Sequence, residues 1–534
     1  MPRKSGTGCI TCRIRRVKCD EAKPACQRCL AAKRQCDGYL PQDSTVTRRQ
    51  LAQAVRELAV VGPVSRALAQ YPHHHGGGGS AMPSNLSLFD VFRNLTAPST
   101  AAFMPSQFWT GELLQLAHSE PAVWHATLAL GALHQKHEFT SRGESHDHKV
   151  AVYSRLANQN YAQAVTYARE LKNPHKLLSL SLALMSITNM MGRWGESRVH
   201  IMAGHKLLDQ TKGHPATKIA AEMLTRLDLQ AMTFSESSAP YPYQDAPQLA
   251  DVVDCMRKTP FIENYSQAGT ALFMLMRRFL LEDEDLASDT PDVVADKLSM
   301  QSLMRDLVDW EFKMARFERD RWTGEPAAIS IRLYHTMLRT MVTATRMGPE
   351  ARWDGLLGYF ERVVALVEAL RIATASPVPR SPLSLEPGLI IPLFVTVSKC
   401  RHIELRNRAV TLLRNLKRQE GTWFSDGAAA VGAKMMEIEG QLFTETGAHA
   451  HAVPYQPSSV PGQDIPWEAW SAGMARLPTS LSWGSMKRVP EAQRIHDTLV
   501  MVETEQRRID VTFVMCSGDE LGSYGEMRSE CVVY

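Results

Sequence analysis

The chain has 534 residues, of which 44% are hydrophobic and 22% are charged, so it can bury a large core and is not disordered overall. Sixty Lys and Arg against 56 Asp and Glu leave a formal net charge of +4, which excludes a uniformly cationic packaging protein. The amino terminus has no apolar run of signal-peptide length and no segment reaches about 20 apolar residues, so we expect neither secretion nor a membrane span.

The first predicted element is a basic, cysteine-rich block that ends near Tyr39. Residues 1–36 contain ten Lys or Arg and two acidic residues, a net charge of +8, whereas the other residues carry 50 basic and 54 acidic side chains. Six of the ten cysteines of the chain repeat a Cys-x2-Cys-x6-Cys unit with a period of 17, at Cys9, Cys12, Cys19, Cys26, Cys29 and Cys36.

Closely spaced thiolates suit zinc, which takes four soft ligands in a tetrahedron. Six sulfurs cannot fill two separate tetrahedral sites, because two zinc ions need eight bonds. Two thiolates would therefore bridge two zinc ions, and the repeat favours Cys9 and Cys26 as the bridges.

Three other interpretations of the cysteines agree less well with the sequence. A mononuclear zinc finger built from Cys9, Cys12, Cys26 and Cys29 leaves the remaining two cysteines without a role. A disulfide framework is typical of small secreted domains and does not agree with the expected absence of a signal peptide. A metal-buffering protein would need the thiols, but it would not need the basic residues that surround them.

Basic residues alternate with the cysteines. Arg13, Arg15, Arg16 and Lys18 lie between Cys12 and Cys19, on a segment that we expect to form a short helix. An Arg side chain matches the O6 and N7 acceptors of guanine in the major groove, a pair that contributes about 1–3 kcal/mol of base discrimination. The other cations are predicted phosphate contacts, which supply affinity without sequence information: Arg3, Lys4, Lys23, Arg28, Lys33 and Arg34.

Residues 9–36 resemble the Zn2Cys6 binuclear cluster of fungal transcription factors, including the Lys23-Pro24 pair before the second half. The resemblance implies that the six cysteines are the ligands of two Zn²⁺ ions. It also implies that Arg15 and Arg16 read a CGG-type triplet, with Lys18 basic as is usual in that family. Members of the family often bind DNA as dimers, so the resemblance implies a homodimer as well.

A linker follows, predicted over residues 41–85. Leu51, Val55 and Leu58 have helical spacing over 51–61, where Gly62-Pro63 stops the pattern. This segment is too short for a coiled coil of three or four heptads, so a locally packed helix and a dimerisation helix both stay open. Residues 73–80, His-His-His-Gly-Gly-Gly-Gly-Ser, have the composition of a flexible linker.

From residue 86 onward the pattern is mainly helical. A helix is predicted after Ser119-Glu120-Pro121, with Gly131 indicating close packing against a neighbour. The alternation from Ile509 to Met515 predicts a strand, and 526–534 is its predicted partner. Further helices are predicted over 177–191, 219–233, 266–281, 329–346, 356–374 and 402–417.

Residues 86–534 also resemble the helical regulatory domain of those fungal regulators. The phrases that carry this likeness are Pro121–His134, Thr225–Ala231 (TRLDLQA), Lys399–Leu413 (KCRHIELRNRAVTLL) and Glu420–Glu439. The likeness implies a domain for regulation and oligomerisation rather than catalysis. The predicted fold class is therefore mainly α: a small Zn2Cys6 module over 1–40, then a large helical domain with a small carboxy-terminal β element.

We predict no catalytic residue. No nucleophile elbow, P-loop or dinucleotide fingerprint is present in the sequence. Cys400 is interpreted as a packed thiol, and the acidic run Glu282 to Asp285 as a solvated loop rather than an activation surface. The histidines at positions 134, 137, 146 and 148 are interpreted as surface residues that follow a helix end.

The leading hypothesis is a nuclear, fungal regulator of RNA polymerase II transcription, most simply an activator, whose partners are double-stranded DNA, the transcription machinery and a second copy. One alternative is a co-regulator that uses the cluster for protein contacts and does not read DNA. Another is a zinc-dependent enzyme within 86–534. The cluster itself is no catalytic site, because its sulfurs leave no position open for water.

Overall fold

The computed structural model describes residues 19–20, 22, 26–32, 36, 83–141, 147–211, 214–242, 259–284, 293–319, 324–344, 348–375, 383–441, 465–475, 477, 479, 481–484, 488–518 and 524–534. The helix predicted over 51–61 and the linker over 73–80 lie outside these residues, so the boundaries predicted at 40 and 85 stay predictions. None of the described helices combines the length and apolarity that crossing a bilayer requires.

The described chain is mainly helical, which confirms the predicted fold class. In chain order the α-helices are α1 (Gln27–Ala31), α2 (Asn85–Val91), α3 (Ala97–Thr100), α4 (Leu113–Ala117), α5 (Pro121–Ser141), α6 (Asp147–Ala168), α7 (Pro174–Met190), α8 (Trp194–Gln210), α9 (Lys218–Met232), α10 (Tyr265–Glu284), α11 (Val293–Glu318), α12 (Pro326–Ala344), α13 (Leu357–Ala373), α14 (Ile390–Lys399), α15 (Ile403–Leu416), α16 (Ser425–Ile438) and α17 (Trp467–Ser471). Two π-helical segments, Phe92–Thr96 and Phe108–Glu112, and short 3₁₀ turns complete the helical part.

Two small sheets accompany the helices. Strands β1 (Leu383–Ser384), β2 (Gln419–Glu420) and β3 (Trp423–Phe424) form the first, with β1 parallel and β3 antiparallel to β2. Strands β4 (Ile495–Glu503), β5 (Arg508–Cys516) and β6 (Tyr524–Val533) form the second, an antiparallel meander in the order β4-β5-β6. The predicted strand and its partner are confirmed as β5 and β6, whereas β4 was missed.

The chain divides into two compact units. Unit 1 comprises Met1–Pro98, Ser106–Ile187 and Gln210–Ala220, and unit 2 comprises Ser99–Pro105, Thr188–Asp209 and Ala221–Tyr534.

In unit 1, α5 packs between α2 and α6. A Cβ atom on Gly131 would lie 2.1 Å from the backbone oxygen of Leu88, so the two helices approach closely at that glycine. This confirms the close packing predicted there. On the other side, His125 Nδ1 and Asn160 Oδ1 lie 2.9 Å apart and join α5 to α6.

In unit 2, α12 runs through the hydrophobic core. Every residue from Ala327 to Thr340 is buried, including polar side chains that need partners. Arg332 pairs with Glu318 at 2.6 Å, and His335 pairs with Glu311 at 2.6 Å. Apolar residues of α10, α13, α14, α15 and α16 belong to the same core, and one face of β5 completes it through Ile509, Val511, Phe513 and Met515.

Two interpretations of the helical domain were wrong. His134 and His137 lie within α5 rather than after its end, and His134 is buried, with its Nδ1 3.0 Å from Thr96 Oγ1. Burial, with the nearby His137, lowers the pKa of His134 to about 3, so it is neutral at physiological pH. The acidic run Glu282 to Asp285 was interpreted as a loop, but its first three residues are helical, because α10 continues to Glu284. His148, the second residue of α6, is exposed, and His146 lies outside the described residues.

Candidate metal centre and nucleic-acid interface

The described part of the cysteine block is organised around α1. Cys26 is the N-cap of this helix, and its Sγ accepts a hydrogen bond from the backbone N–H of Cys29 at 3.3 Å. The N–H of Cys26 in turn donates to Cys36 Sγ at 3.4 Å. The short helix that follows Cys26 therefore directs one of its free N–H groups, that of Cys29, at the sulfur of its N-cap.

Four of the six predicted ligands meet here. The sulfurs of Cys26, Cys29 and Cys36 lie within 4.8 Å of one another, and Cys19 and Cys26 form a second such group with a carboxylate oxygen of Asp20. Cys26 is the residue that belongs to both groups. It is fully buried, as is Cys29, and all four described cysteines of the block are free thiols.

These residues fit zinc. Four sulfurs held about 2.3 Å from one zinc ion are separated by about 3.8 Å, and this separation is compatible with the sulfurs of Cys26, Cys29 and Cys36 lying within 4.8 Å of one another. Thiolate charge is costly to bury without compensation, and the two N–H groups that point at Cys26 and Cys36 provide part of it.

Asp20 is a member of this site that the sequence interpretation missed. Its two carboxylate oxygens accept the backbone N–H groups of Gln27 at 2.9 Å and Arg28 at 3.1 Å. The hydrogen bond from Gln27, followed by that from Arg28 and partly opposed by desolvation, lowers the pKa of Asp20. The signal was an acidic residue immediately after Cys19, which suits the positive end of a short helix.

The predicted DNA contacts are only partly described. Arg28 lies on the exposed side of α1, away from the buried cysteines. The other predicted ligands and contacts lie outside the described residues: Cys9, Cys12, Arg3, Lys4, Arg13, Arg15, Arg16, Lys18, Lys23, Lys33 and Arg34. Their assignment stays a prediction.

Some of the sequence phrases of the helical domain contribute buried polar groups to unit 2. In the phrase TRLDLQA, Asp228 on α9 accepts from Arg277 Nε at 2.5 Å and from the Tyr241 hydroxyl at 2.6 Å, and it lies 3.0 Å from His205 Nε2. Burial would raise the pKa of Asp228, but His205 and Arg277 outweigh it and hold that pKa below its usual range. The phrase thus contributes a buried carboxylate that connects α9 to α8 and α10.

The phrase KCRHIELRNRAVTLL contributes to a second set of paired charges, which we call the glutamate–arginine cluster: Glu350, Arg401, Arg406 and Glu439. Arg401 lies 3.2 Å from Glu350 and 2.9 Å from Glu439, and Arg406 lies 2.6 Å from Glu439. All four side chains are fully buried. Cys400 beside them is a packed thiol, as predicted, and burial raises its pKa to about 11.

A serine, a glutamate and a histidine meet in unit 1. Ser179 Oγ donates to Glu112 Oε1 at 2.5 Å, and His175 Nε2 lies 3.9 Å from the same oxygen. Burial raises the pKa of Glu112 to about 7, partly opposed by the Ser179 hydroxyl. In a nucleophilic site the hydroxyl donates to the base, usually a histidine. Here it donates to the carboxylate, which is the geometry of a packed polar group.

Comparison with known proteins matches two families. Residues 7–45 match the fungal Zn(2)-Cys(6) binuclear cluster domain, and residues 87–431 match the fungal specific transcription factor domain. No solved structure matches the chain.

Three curated relatives illustrate the likeness. The aspercryptin biosynthesis cluster-specific transcription regulator of Emericella nidulans is 26% identical over 72% of this chain and 66% of its own length. A transcription regulator of Purpureocillium lilacinum is 27% identical over 39% of this chain and 49% of its own. The transcriptional regulatory protein moc3 of Schizosaccharomyces pombe is 57% identical over 37 residues, 7% of each chain. The chain spans 66% or less of the length of these relatives.

Proposed function

Because the chain belongs to the fungal specific transcription factor family and carries a Zn(2)-Cys(6) binuclear cluster domain, we propose that it is a sequence-specific DNA-binding regulator of RNA polymerase II transcription. The observation that carries the proposal is the convergence of Cys19, Cys29 and Cys36 on Cys26, beside a stretch with a net charge of +8.

The cluster holds two zinc ions in this proposal. Cys26 is supported as a bridging ligand because it belongs to both sulfur groups, and the repeat gives Cys9 the equivalent place in the other half. Asp20 keeps α1 in position beside the metals through its two backbone hydrogen bonds. The chain folds this module around the metal and thereby presents its basic side chains to DNA.

The DNA contacts divide by type. Arg15 and Arg16 read a CGG-type triplet, with Arg13 and Lys18 beside them, while Lys4, Lys23 and Arg28 neutralise phosphates. The protein acts in the nucleus as a homodimer that recruits the transcription machinery as an activator. The Emericella relative is named as a regulator specific to a biosynthesis cluster, which supports control of a metabolic gene cluster here.

Zinc content tests the proposed cluster. Full-length protein, purified with zinc and dialysed, should contain two zinc ions per chain by elemental analysis. Cys26→Ser should contain fewer than two, whereas Cys531→Ser, which changes an exposed cysteine of β6, should still contain two. One zinc ion or none in the unaltered chain would overturn the binuclear site.

The second candidate function is a co-regulator that uses the zinc cluster for protein contacts. The cysteines are equally compatible with this function, but a co-regulator that does not bind DNA gives no role to the four cations between Cys12 and Cys19. It differs from the first proposal in one property, since it predicts no preference among DNA sequences.

A further inference from the structure

The second sheet of unit 2 has one covered edge and one open edge. The β4 edge is covered, because Val500 N donates to Ser235 O at 2.9 Å and Ser237 N donates to Val500 O at 2.7 Å. The opposite edge is β6, and among the described residues no backbone group outside β5 pairs with this strand. The outer side of β6 therefore presents a row of N–H and C=O groups on which another strand can pair.

Strand β6 exposes apolar and charged side chains in alternation. Met527 is 68% exposed and Val533 is 73% exposed, both on the face of the sheet that points away from the core. Glu526, Arg528 and Glu530 are exposed on the other face. Exposed apolar side chains on a long edge strand indicate a site of association with another chain.

Charged side chains on an edge strand usually prevent pairing, because like charges meet when two copies approach. In β6, however, Glu526, Arg528 and Glu530 alternate in sign. Two copies that pair antiparallel about a two-fold axis at Ser529 would place Arg528 of each copy directly opposite Glu530 of the other. A pairing centred on Arg528 would place that residue opposite itself. The order of charges therefore favours the first register over the second.

The uncharged residues of β6 fit the register centred on Ser529. Met527 would lie opposite Cys531 of the second copy, on the outer face of the sheet. Val533 would lie opposite Gly525, which has no side chain to obstruct it. The exposed apolar groups of the two strands would thus cover each other.

A third register also brings opposite charges together. If the axis lay at Met527, Arg528 would be opposite Glu526 of the second copy, but residues 531–533 would have no partner. The register centred on Ser529 pairs those residues as well. It therefore forms more backbone hydrogen bonds between the two strands.

Arg528 has donors left for a second carboxylate. Its Nε donates to Glu526 Oε1 of the same strand at 2.6 Å, and its side chain is 50% exposed. A guanidinium carries five N–H donors, so the contact with Glu526 uses only part of them. Arg528 can keep this contact and still pair with a carboxylate of another chain.

We propose that the open edge of β6 is a self-association surface, on which two copies of the chain pair antiparallel about Ser529. The two three-stranded sheets would join into one continuous sheet. The homodimer is part of the proposed function, and this surface gives it a location in unit 2. The pairing itself needs neither zinc nor DNA.

Exchange of charges tests the pairing in the full-length protein without DNA. Sedimentation velocity over a range of concentrations should show a monomer–dimer equilibrium. Arg528→Glu should weaken the dimer at least about tenfold, because two attractive pairs become repulsive. Arg528→Glu combined with Glu530→Arg should restore it, since opposite charges meet again. Arg155→Glu, the same change at an exposed position of α6, should dimerise like the unaltered chain.

A cysteine variant tests the register. Under mild oxidation, Met527→Cys should form a disulfide between position 527 of one copy and Cys531 of the other, identified by mass spectrometry of the linked peptides. The same variant with Cys531→Ser should form no such link. Within one strand the two positions are about 13 Å apart, which is too far for a disulfide.

Three results would overturn the proposal. They are a monomeric unaltered chain at all concentrations, a folded Arg528→Glu that dimerises like Arg155→Glu, and the absence of the link between positions 527 and 531. A link between the two copies of position 527 would contradict the register centred on Ser529. Zinc content and DNA selection are measured separately, so failure of the pairing is distinguishable from failure of the proposed function.

Discussion

Single buried residues of unit 2 show what the quoted sequence phrases contribute to its structure. Glu439 receives Arg401, Arg406 and the backbone N–H of Ile495, which lies 2.8 Å from its Oε1. Burial opposes ionisation of this carboxyl, but the two guanidinium groups outweigh burial and hold the pKa of Glu439 below its usual range. Glu439 thus joins α15 and α16 to the first residue of β4.

Removing that carboxylate should cost far more than removing a surface one. Glu439→Ala leaves the buried guanidinium of Arg406 without its carboxylate partner and leaves Arg401 with Glu350 alone. Removing one partner of a buried ion pair destabilises proteins by about 3–5 kcal/mol. Glu437→Ala, in the last turn of α16, removes an exposed pair with Lys434 and should change stability by less than about 1 kcal/mol. Urea unfolding followed by circular dichroism measures both. Equal effects of the two variants would show that the cluster does not hold unit 2 together.

Residues of the basic block should separate by the kind of contact they make with DNA. Arg16→Ala should reduce the preference for a CGG-type site over an altered triplet by about 1–3 kcal/mol. Lys4→Ala should weaken all duplexes alike and lower the slope of log affinity against log salt by about 0.9. Fluorescence anisotropy with both duplexes at several salt concentrations measures this. Uniform loss of affinity in both variants would show that Arg16 is not a base reader.

At the scale of elements, helices approach each other where the sequence places glycine. Gly131 on α5 meets the backbone of α2, and Gly432 on α16 faces Val397 on α14, where a Cβ atom would lie 2.6 Å from Val397 Cγ1. Glycine destabilises a helix by about 1 kcal/mol relative to alanine. The close packing that glycine permits at these two positions offsets that cost.

The contact at Gly131 should not accept a methyl group. Gly131→Ala must move α2 or α5 to relieve a 2.1 Å approach, and overpacking of this kind costs about 1–3 kcal/mol. Gly111→Ala is the matched control, since no atom lies within 4 Å of its added Cβ. Differential scanning calorimetry should show a lower unfolding temperature for the first variant only. A normal unfolding temperature for Gly131→Ala would contradict the close approach.

Elements with a continuous apolar pattern were predictable from the sequence. The helices predicted over 219–233 and 356–374 agree with α9 and α13 within a residue or two. Helix α16 was not predicted individually, because Gly427 and Gly432 lower its propensity and its stability comes from packing against α14. Strand β4 was missed for a similar reason, since an irregularity between Ile495 and Asp497 interrupts its alternation.

The candidate metal centre likewise has features that the sequence predicts and features that it does not. The thiol spacing was sufficient to predict that Cys19, Cys26, Cys29 and Cys36 come together, because ligand spacing is a local property. The role of Asp20 depends on the direction of the N–H groups of α1, which spacing does not encode. The partners of Asp228 are distant in sequence, so no local pattern identifies them.

At the scale of the whole molecule, the distribution of charge matters more than its sum. The net charge of +4 combines a value of +8 in residues 1–36 with a net negative charge over the rest. Six thiolates and two Zn²⁺ ions would add a charge of about −2 to the module, so it stays cationic. In the proposed function, DNA recognition therefore belongs to the amino-terminal block, whereas the interior of unit 2 contains buried, paired charges.

The most direct test is selection of binding sites from random DNA duplexes by the zinc-loaded, full-length protein, followed by sequencing. The proposed function predicts enrichment of a motif that contains CGG-type triplets, and loss of that enrichment in Cys26→Ser. Recovery of bound DNA with no enriched motif would contradict sequence-specific recognition and favour the co-regulator.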